Sequence, residues 1–206
     1  MRLINTETYE LEEFFDSERP PYAILSHTWG VDEVNLQEWE QWLQGDADTK
    51  ARIAAKRGFK KIKKACGIAR KGIPKSESKS KTKGESKRNT KDPEFRFLWV
   101  DTNCIDKKSS AEETESINSM FHWYQTASFC IVYLEDVGPG SDTVLVKSRW
   151  FTRGWTLQEL IAPEPAENVI FYARKWHPIG SRVQLCDVLT SITGIPRKVL
   201  LEPGSY

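Results

Sequence analysis

Four short apolar runs set the frame of this chain: Tyr22-Ala23-Ile24-Leu25, Phe97-Leu98-Trp99-Val100, Phe129-Cys130-Ile131-Val132-Tyr133-Leu134 and Val169-Ile170-Phe171-Tyr172. Each is bounded by polar or turn residues. They are too continuous for half-exposed strands and too short for helices, so they are expected as buried strands of a largely parallel sheet. Segments with helical spacing lie between them. Ala111 to Ala127 places Ile117, Met120, Phe121 and Tyr124 on one stripe, and Ser109 and Ser110, each followed three residues on by Glu112 and Glu113, offer a capping box at its start. Further helices are expected over Leu36 to Leu43 with Trp39 and Trp42 inward, over Thr49 to Arg70, and over Arg182 to Ile192. Another is expected over Trp150 to Ile161, stopped by Pro163 and Pro165. At the N-terminus, Arg2 to Asn5 and Tyr9 to Phe14 form a hairpin, or the second piece is a helix. Strand alternating with helix predicts a doubly wound α/β fold with right-handed crossovers and helices on both faces.

A chain of 206 residues buries one good core, so a single domain over residues 1–206 is expected. One insertion interrupts it. Between Lys75 and Lys91 the chain carries seven Lys or Arg against two Glu and no apolar residue, so residues 75–92 are expected to form a disordered, solvated loop. The tract lacks the interleaved aromatics that stack bases, and the net charge of +1 creates no global field, so neither nucleic acid nor membrane is expected as a partner. No run approaches a membrane span and the N-terminus has no secretory pattern, so the protein is expected in the cytosol or nucleus, with the cytoplasm as the favoured setting. Cys66, Cys104, Cys130 and Cys186 are far apart, which suits free thiols and offers no zinc spacing; no metal is expected.

Doubly wound folds bind ligands at the carboxyl ends of their strands. Three polar clusters stand there: Ser26-His27-Thr28-Trp29-Gly30, Asp101-Thr102-Asn103-Cys104-Ile105-Asp106, and Glu135-Asp136. All three are expected to face one crevice. A thiol hydrolase built on Cys104 with His27 or His122 is disfavoured, because nothing in the spacing brings a histidine to the sulfur. The chain has no G-x-G-x-x-G and no P-loop, so a nucleotide here would be held differently from a Rossmann cofactor.

Several of these runs, taken in order, closely resemble the heterokaryon-incompatibility (HET) domain of filamentous fungi. They are Ala23 to Gly30, Leu98 to Asp106, and Arg149-Trp150-Phe151-Thr152-Arg153-Gly154-Trp155-Thr156-Leu157-Gln158-Glu159-Leu160, followed by Trp176 to Ser181 and Ile192 to Pro196. Two positions depart from that pattern: His27 stands where an aromatic such as tyrosine is common, and Asp106 where asparagine is frequent. The resemblance implies a cell-death effector that acts when incompatible fungal cells fuse.

A second, more distant resemblance adds chemistry. Tyr22 to Ser26, Val100-Asp101 and Trp155-Thr156-Leu157-Gln158-Glu159-Leu160 are similar to Toll/interleukin-receptor (TIR) domains, whose fold is flavodoxin-like and whose plant members carry the glutamate of an NAD-cleaving activity on the matching helix. Carried over, that glutamate is Glu159, with Thr156 in place of a cysteine. NAD is then substrate and no cofactor is implied. A lone carboxylate suffices for this bond because nicotinamide leaves as a neutral molecule and needs no acid, whereas a glycosidase must protonate its leaving group. On a helix Glu159 is expected one turn beyond Trp155, beside its ring. The resemblance also implies activation by self-association and an upstream receptor or regulatory region. A non-catalytic assembly module, with Glu159 at an interface, is the competing reading.

The other candidate substrate-binding residues each carry an alternative. Ser26, His27, Thr28 and Gly30 line the expected crevice mouth. Trp29 stacks on nicotinamide or adenine, or is core. Asp101 meets ligand or caps the turn after its strand. Arg149 and Arg153 pair with the pyrophosphate or form structural ion pairs. Trp155 flanks the carboxylate or packs.

Overall fold

A computed structural model describes residues 1–74, 94–138 and 145–202. The expected loop at residues 75–92 lies outside the described residues. The four apolar runs are strands, and their neighbours complete a seven-stranded sheet. The strands are β1 (Arg2–Asn5), β2 (Leu11–Glu13), β3 (Tyr22–His27), β4 (Phe97–Val100), β5 (Phe129–Tyr133), β6 (Val169–Ala173) and β7 (His177–Ser181). The helices are α1 (Leu36–Gln44), α2 (Ala47–Ala55), α3 (Arg57–Lys71), α4 (Ser110–Thr126), α5 (Thr156–Ile161), α6 (Cys186–Thr193) and α7 (Arg197–Leu201).

The sheet runs β2-β1-β4-β3-β5-β6-β7. Its centre, β4-β3-β5-β6, is parallel, whereas β1 pairs antiparallel with β4 and β2, and β7 with β6. Taken in chain order the parallel strands stand second, first, third, fourth, which is the flavodoxin-like order. From β3 the chain crosses to β4 on one side, then back over β3 to β5. With right-handed crossovers this reversal puts α1–α3 on one face and α4 on the other. It also opens a crevice beyond the carboxyl ends of β3 and β5, where the direction of winding switches.

The parallel strands are buried along their whole length, and Trp39, Trp99 and Trp150 are among the largest fully buried side chains. β3 extends two residues past its apolar run, so Ser26 and His27 lie inside the sheet, buried, and not in the loop that follows. The N-terminal alternative resolves to a hairpin of β1 and β2.

Several helical expectations are corrected. The helix over Thr49 to Arg70 is two helices, because Lys56 is extended and the Arg57 and Gly58 backbone N–H groups donate to Asp32 Oδ2 and to the Asp32 carbonyl, both at 2.9 Å. A Cβ on Gly58 would stand 2.7 Å from Glu33 Cα, so only glycine allows this approach. In α4 the buried residues are Ser116, Trp123 and Tyr124, while Ile117 and Phe121 of the expected stripe face solvent. Ser109 caps α4 by accepting from the Glu112 N–H at 3.3 Å, but the Glu112 carboxylate turns to Arg2 and the Asp106 N–H instead of closing the box.

The third correction bears on function. Trp150 to Ile161 is not one helix: a 3-10 turn covers Arg149–Thr152, the chain breaks through Arg153-Gly154-Trp155, and α5 starts at Thr156. The Thr156 hydroxyl, 2.7 Å from the Trp150 carbonyl and 2.6 Å from that of Arg153, ties the break together by sharing its one proton between these carbonyls. The C-terminal helix starts at Cys186, not Arg182, because residues 182–185 form a turn off edge strand β7, with the Leu185 N–H donating to the Ser181 carbonyl at 2.9 Å. Arg182 is fully buried and donates to the Leu160 and Pro163 carbonyls at 2.5 and 2.7 Å, closing the end of α5. Among the described residues no helix is long and apolar enough to cross a membrane.

Candidate functional site

α5 lies where its buried face meets the carboxyl end of β3. Glu159 Oε2 accepts from Ser26 Oγ at 2.5 Å, and Ser26 Oγ accepts from Trp150 Nε1 at 2.8 Å. The serine thus donates its one proton to the carboxylate and takes the indole N–H on a lone pair. Tyr124 of α4 also hydrogen-bonds the carboxylate. Glu159 is only 6% exposed, and this burial pushes its pKa up to about 7. The Asp101 charge works in the same direction, opposed by the Ser26 and Tyr124 hydrogen bonds and by Arg153. The group therefore changes charge near neutrality, where a buried carboxylate with polar partners is available for chemistry.

A second cluster adjoins the first through the β3 backbone. His27 Nε2 stands 3.1 Å from Asp101 Oδ1, and Trp29 Nε1 donates to Asp101 Oδ2 at 2.7 Å. Burial and the charge of Lys61 lower the His27 pKa, so the ring is neutral; the ionised Asp101 can only accept, so the ring proton sits on Nε2, and Nδ1 is buried without a hydrogen-bond partner. Burial raises the Asp101 pKa, but the His27 bond, with the charge of Lys107 and the Trp29 bond, outweighs it and brings the net shift below the usual carboxylate value. Asp101 is thus neither a turn cap nor free: it orients two side chains of the β3 end. Lys107 Nζ sits 3.0 Å from the Trp29 ring centroid, which occupies that indole with a cation. Arg153 Nη1 donates to the His27 carbonyl at 3.2 Å, joining the break before α5 to the same strand end.

Ser26, His27, Trp29, Asp101, Arg153 and Glu159 therefore form one connected constellation. Thr28 and Gly30 join it from the side: the Thr28 carbonyl accepts from Lys61 Nζ at 3.4 Å, and the Gly30 N–H donates to Glu33 Oε1 at 2.7 Å. Arg149 lies at the rim, its guanidinium 3.8 Å from Asp136 and largely exposed. Trp155 is 52% exposed, and the indole wired to the carboxylate is Trp150. Beyond His27 and its register partner Tyr133, a pocket of about 220 Å³ opens between Gly30, Glu33, Arg57, Lys61, Glu135 and Trp176.

Part of this geometry, Ser26 to Trp29 and Asp101, falls within the stretch that a family model matches: residues 22–148 fit the model of the Heterokaryon incompatibility protein (HET). The chain belongs to the HET family. It is also 40% identical over 191 residues to the Vegetative incompatibility protein HET-E-1 of Podospora anserina, a match that covers 88% of this chain and 12% of that protein. The chain thus spans a small part of that relative's length. No solved structure matches it.

Within this HET domain the carboxylate sits outside the residues matched by the family model, on the helix that follows them. Cys104 is buried, with its thiol pushed up to about 12 by burial, and accepts from the Val100 N–H at 3.4 Å, so it has no thiolate character. All four cysteines are free and buried. Among the described residues no group of three or more His, Cys, Asp or Glu converges in a way that could hold a metal ion. Unforeseen from the sequence were Tyr124 as a partner of Glu159 and Trp150 as the donor to Ser26. The signal for Trp150 was present: a fully buried indole needs an acceptor, and Ser26 is a hydroxyl drawn into a sheet of apolar neighbours.

Proposed function

We propose that this domain is a cell-death effector of heterokaryon incompatibility that cleaves NAD at the nicotinamide–ribose bond when self-associated, with Glu159 as the catalytic carboxylate. The observation that supports this most strongly is Glu159 itself, buried yet bonded to Ser26 at 2.5 Å at the carboxyl edge of the sheet. Family membership and the relative's name support the incompatibility role. The buried free cysteines suit a cytoplasmic setting.

In the reaction the bond from ribose C1′ to the pyridinium nitrogen breaks, and its electron pair leaves with neutral nicotinamide. No proton donor is required at the leaving group. Positive charge builds on the ribose, and the ionised Glu159 carboxylate, held by Ser26 and Tyr124, opposes it from a site shielded from water. Water then adds to C1′ and releases a proton, giving ADP-ribose. A carboxylate with a pKa of about 7 is half protonated at neutral pH, and an arriving cationic pyridinium favours its ionised form. Arg153, bonded to the His27 carbonyl, and Trp29, bonded to Asp101, stand at the same strand end as the carboxylate.

One observation favours the rival reading of an assembly module: Trp155 and Leu157 expose 52% and 51% of their surfaces at the start of α5. Large apolar side chains on a short exposed turn suit a second copy of the domain or a receptor. The two readings separate experimentally. Purified domain fused to an inducible dimeriser is incubated with NAD, and nicotinamide is quantified for the parent and for Glu159→Gln. Release by the parent alone supports catalysis; clustering without release by either supports assembly.

A further inference from the structure

The pocket beyond the β3 and β5 ends has a composition that the cleavage chemistry does not use. Tyr133 and Trp176 line it, with ring centroids 4.0 Å apart and planes within 11°, a stacked pair at the sheet edge. Tyr133 is buried, whereas Trp176 is half-buried. The turn that delivers Trp176 is unusual: Lys175 and Trp176, neither glycine, take φ of 62° and 64°. The Lys175 backbone N–H bonds the Tyr133 hydroxyl, which ties the turn to β5.

Opposite the aromatic pair stand Arg57, Lys60 and Lys61 of α3, with Asp32, Glu33 and Glu135 among them. Arg57 pairs with Glu135, and Lys61 Nζ lies 2.5 Å from Glu33 Oε1. Lys60 is exposed at the pocket mouth. An aromatic face, cations and carboxylates around one cavity of about 220 Å³ match the three parts of a nucleotide. A base stacks on an indole, phosphates draw cations, and ribose hydroxyls donate to carboxylates. A purely anionic ligand would leave the indole unused and meet the carboxylates unfavourably.

We propose that this pocket is a nucleoside diphosphate subsite, with Trp176 as the base platform and Lys60 and Arg57 as the phosphate contacts. His27 pairs in register with Tyr133, so the pocket lies beyond the end of β3 on the α3 side of the sheet, while the neighbouring Ser26 points to the other side and holds Glu159. The subsite is assigned to the adenosine diphosphate half of NAD, with the nicotinamide riboside half passing over the carboxyl edge of the sheet towards Glu159. That assignment of the occupant rests on the cleavage reading; the capacity for a nucleoside diphosphate does not.

The test is calorimetric titration of ADP into the purified domain, which involves no bond cleavage, with inorganic pyrophosphate and adenosine as separate probes. ADP is expected to bind more tightly than either, with affinity reduced about tenfold or more by Trp176→Ala and by Lys60→Glu, and retained within about threefold by Trp176→Phe. Lys60 is a surface residue, so Lys60→Glu reports even where Trp176→Ala does not fold. Absence of ADP binding, binding unchanged in Lys60→Glu, or pyrophosphate binding as tightly as ADP would each overturn the subsite. ADP binding with these dependences in a domain that releases no nicotinamide would retain the subsite and discard cleavage.

Discussion

Glu159 Oε2 and Ser26 Oγ, 133 residues apart in sequence, meet at 2.5 Å where the helix after the Arg153-Gly154-Trp155 break docks on the end of β3. This contact places a carboxylate inside the protein, where it gains a proton far more readily than in water. The energetic consequence is measurable without any knowledge of substrate. With a folded pKa of about 7 against an ordinary value of 4.5, the native state binds the extra proton between those limits. The stability this confers is fully present below the unfolded value and is lost as pH rises through the folded one. Glu159→Gln removes the titration. The variant is expected to exceed the parent in stability by about 1–3 kcal/mol at about pH 8, with the gap closing at about pH 5, in urea unfolding followed by fluorescence. A gap independent of pH would contradict the burial argument.

Asp101 raises the Glu159 pKa through its charge while anchoring His27 and Trp29. Asp101→Asn removes the charge but keeps a side chain of the same shape. Glu159 is then expected to titrate at a lower pH than in the parent, read as a shift in the carboxyl carbon resonance by NMR. The His27 pKa is expected to fall further, because its favourable carboxylate partner is gone.

Arg182 holds the Leu160 and Pro163 carbonyls at the end of α5 from a fully buried position. Arg182→Ala leaves both carbonyls unpartnered and opens a cavity, so a loss of about 3–5 kcal/mol is expected in chemical denaturation. Because the same helix carries Glu159, hydrogen exchange at α5 is expected to rise more than at β3 or β5.

The sequence made the sheet legible because buried parallel strands are continuous apolar runs, and all four appeared where the runs stood. Edge strand β7 was not legible as a strand, since Pro178 and Gly180 interrupt its apolar pattern. Helix breaks depended on side chains outside the helical pattern: Lys56 on the docking of the distant Asp32, and Gly154 on the local Thr156 hydroxyl set between two carbonyls. In the site, the resemblance singled out Ser26 and Glu159 separately, but their direct hydrogen bond was not legible. The roles of Trp150, Tyr124 and Lys107 did not follow, because side chains from separate elements meet there through packing that no local pattern encodes.

The central claim is that Glu159 acts on NAD, and it is tested most directly by nicotinamide release from NAD under enforced dimerisation, measured across pH for the parent and Glu159→Gln. The account expects release by the parent, with an acid limb near the Glu159 pKa of about 7, and release by Glu159→Gln reduced by about a hundredfold or more. Equal release by the two proteins, or no release from a parent shown to be folded and dimeric, would contradict it.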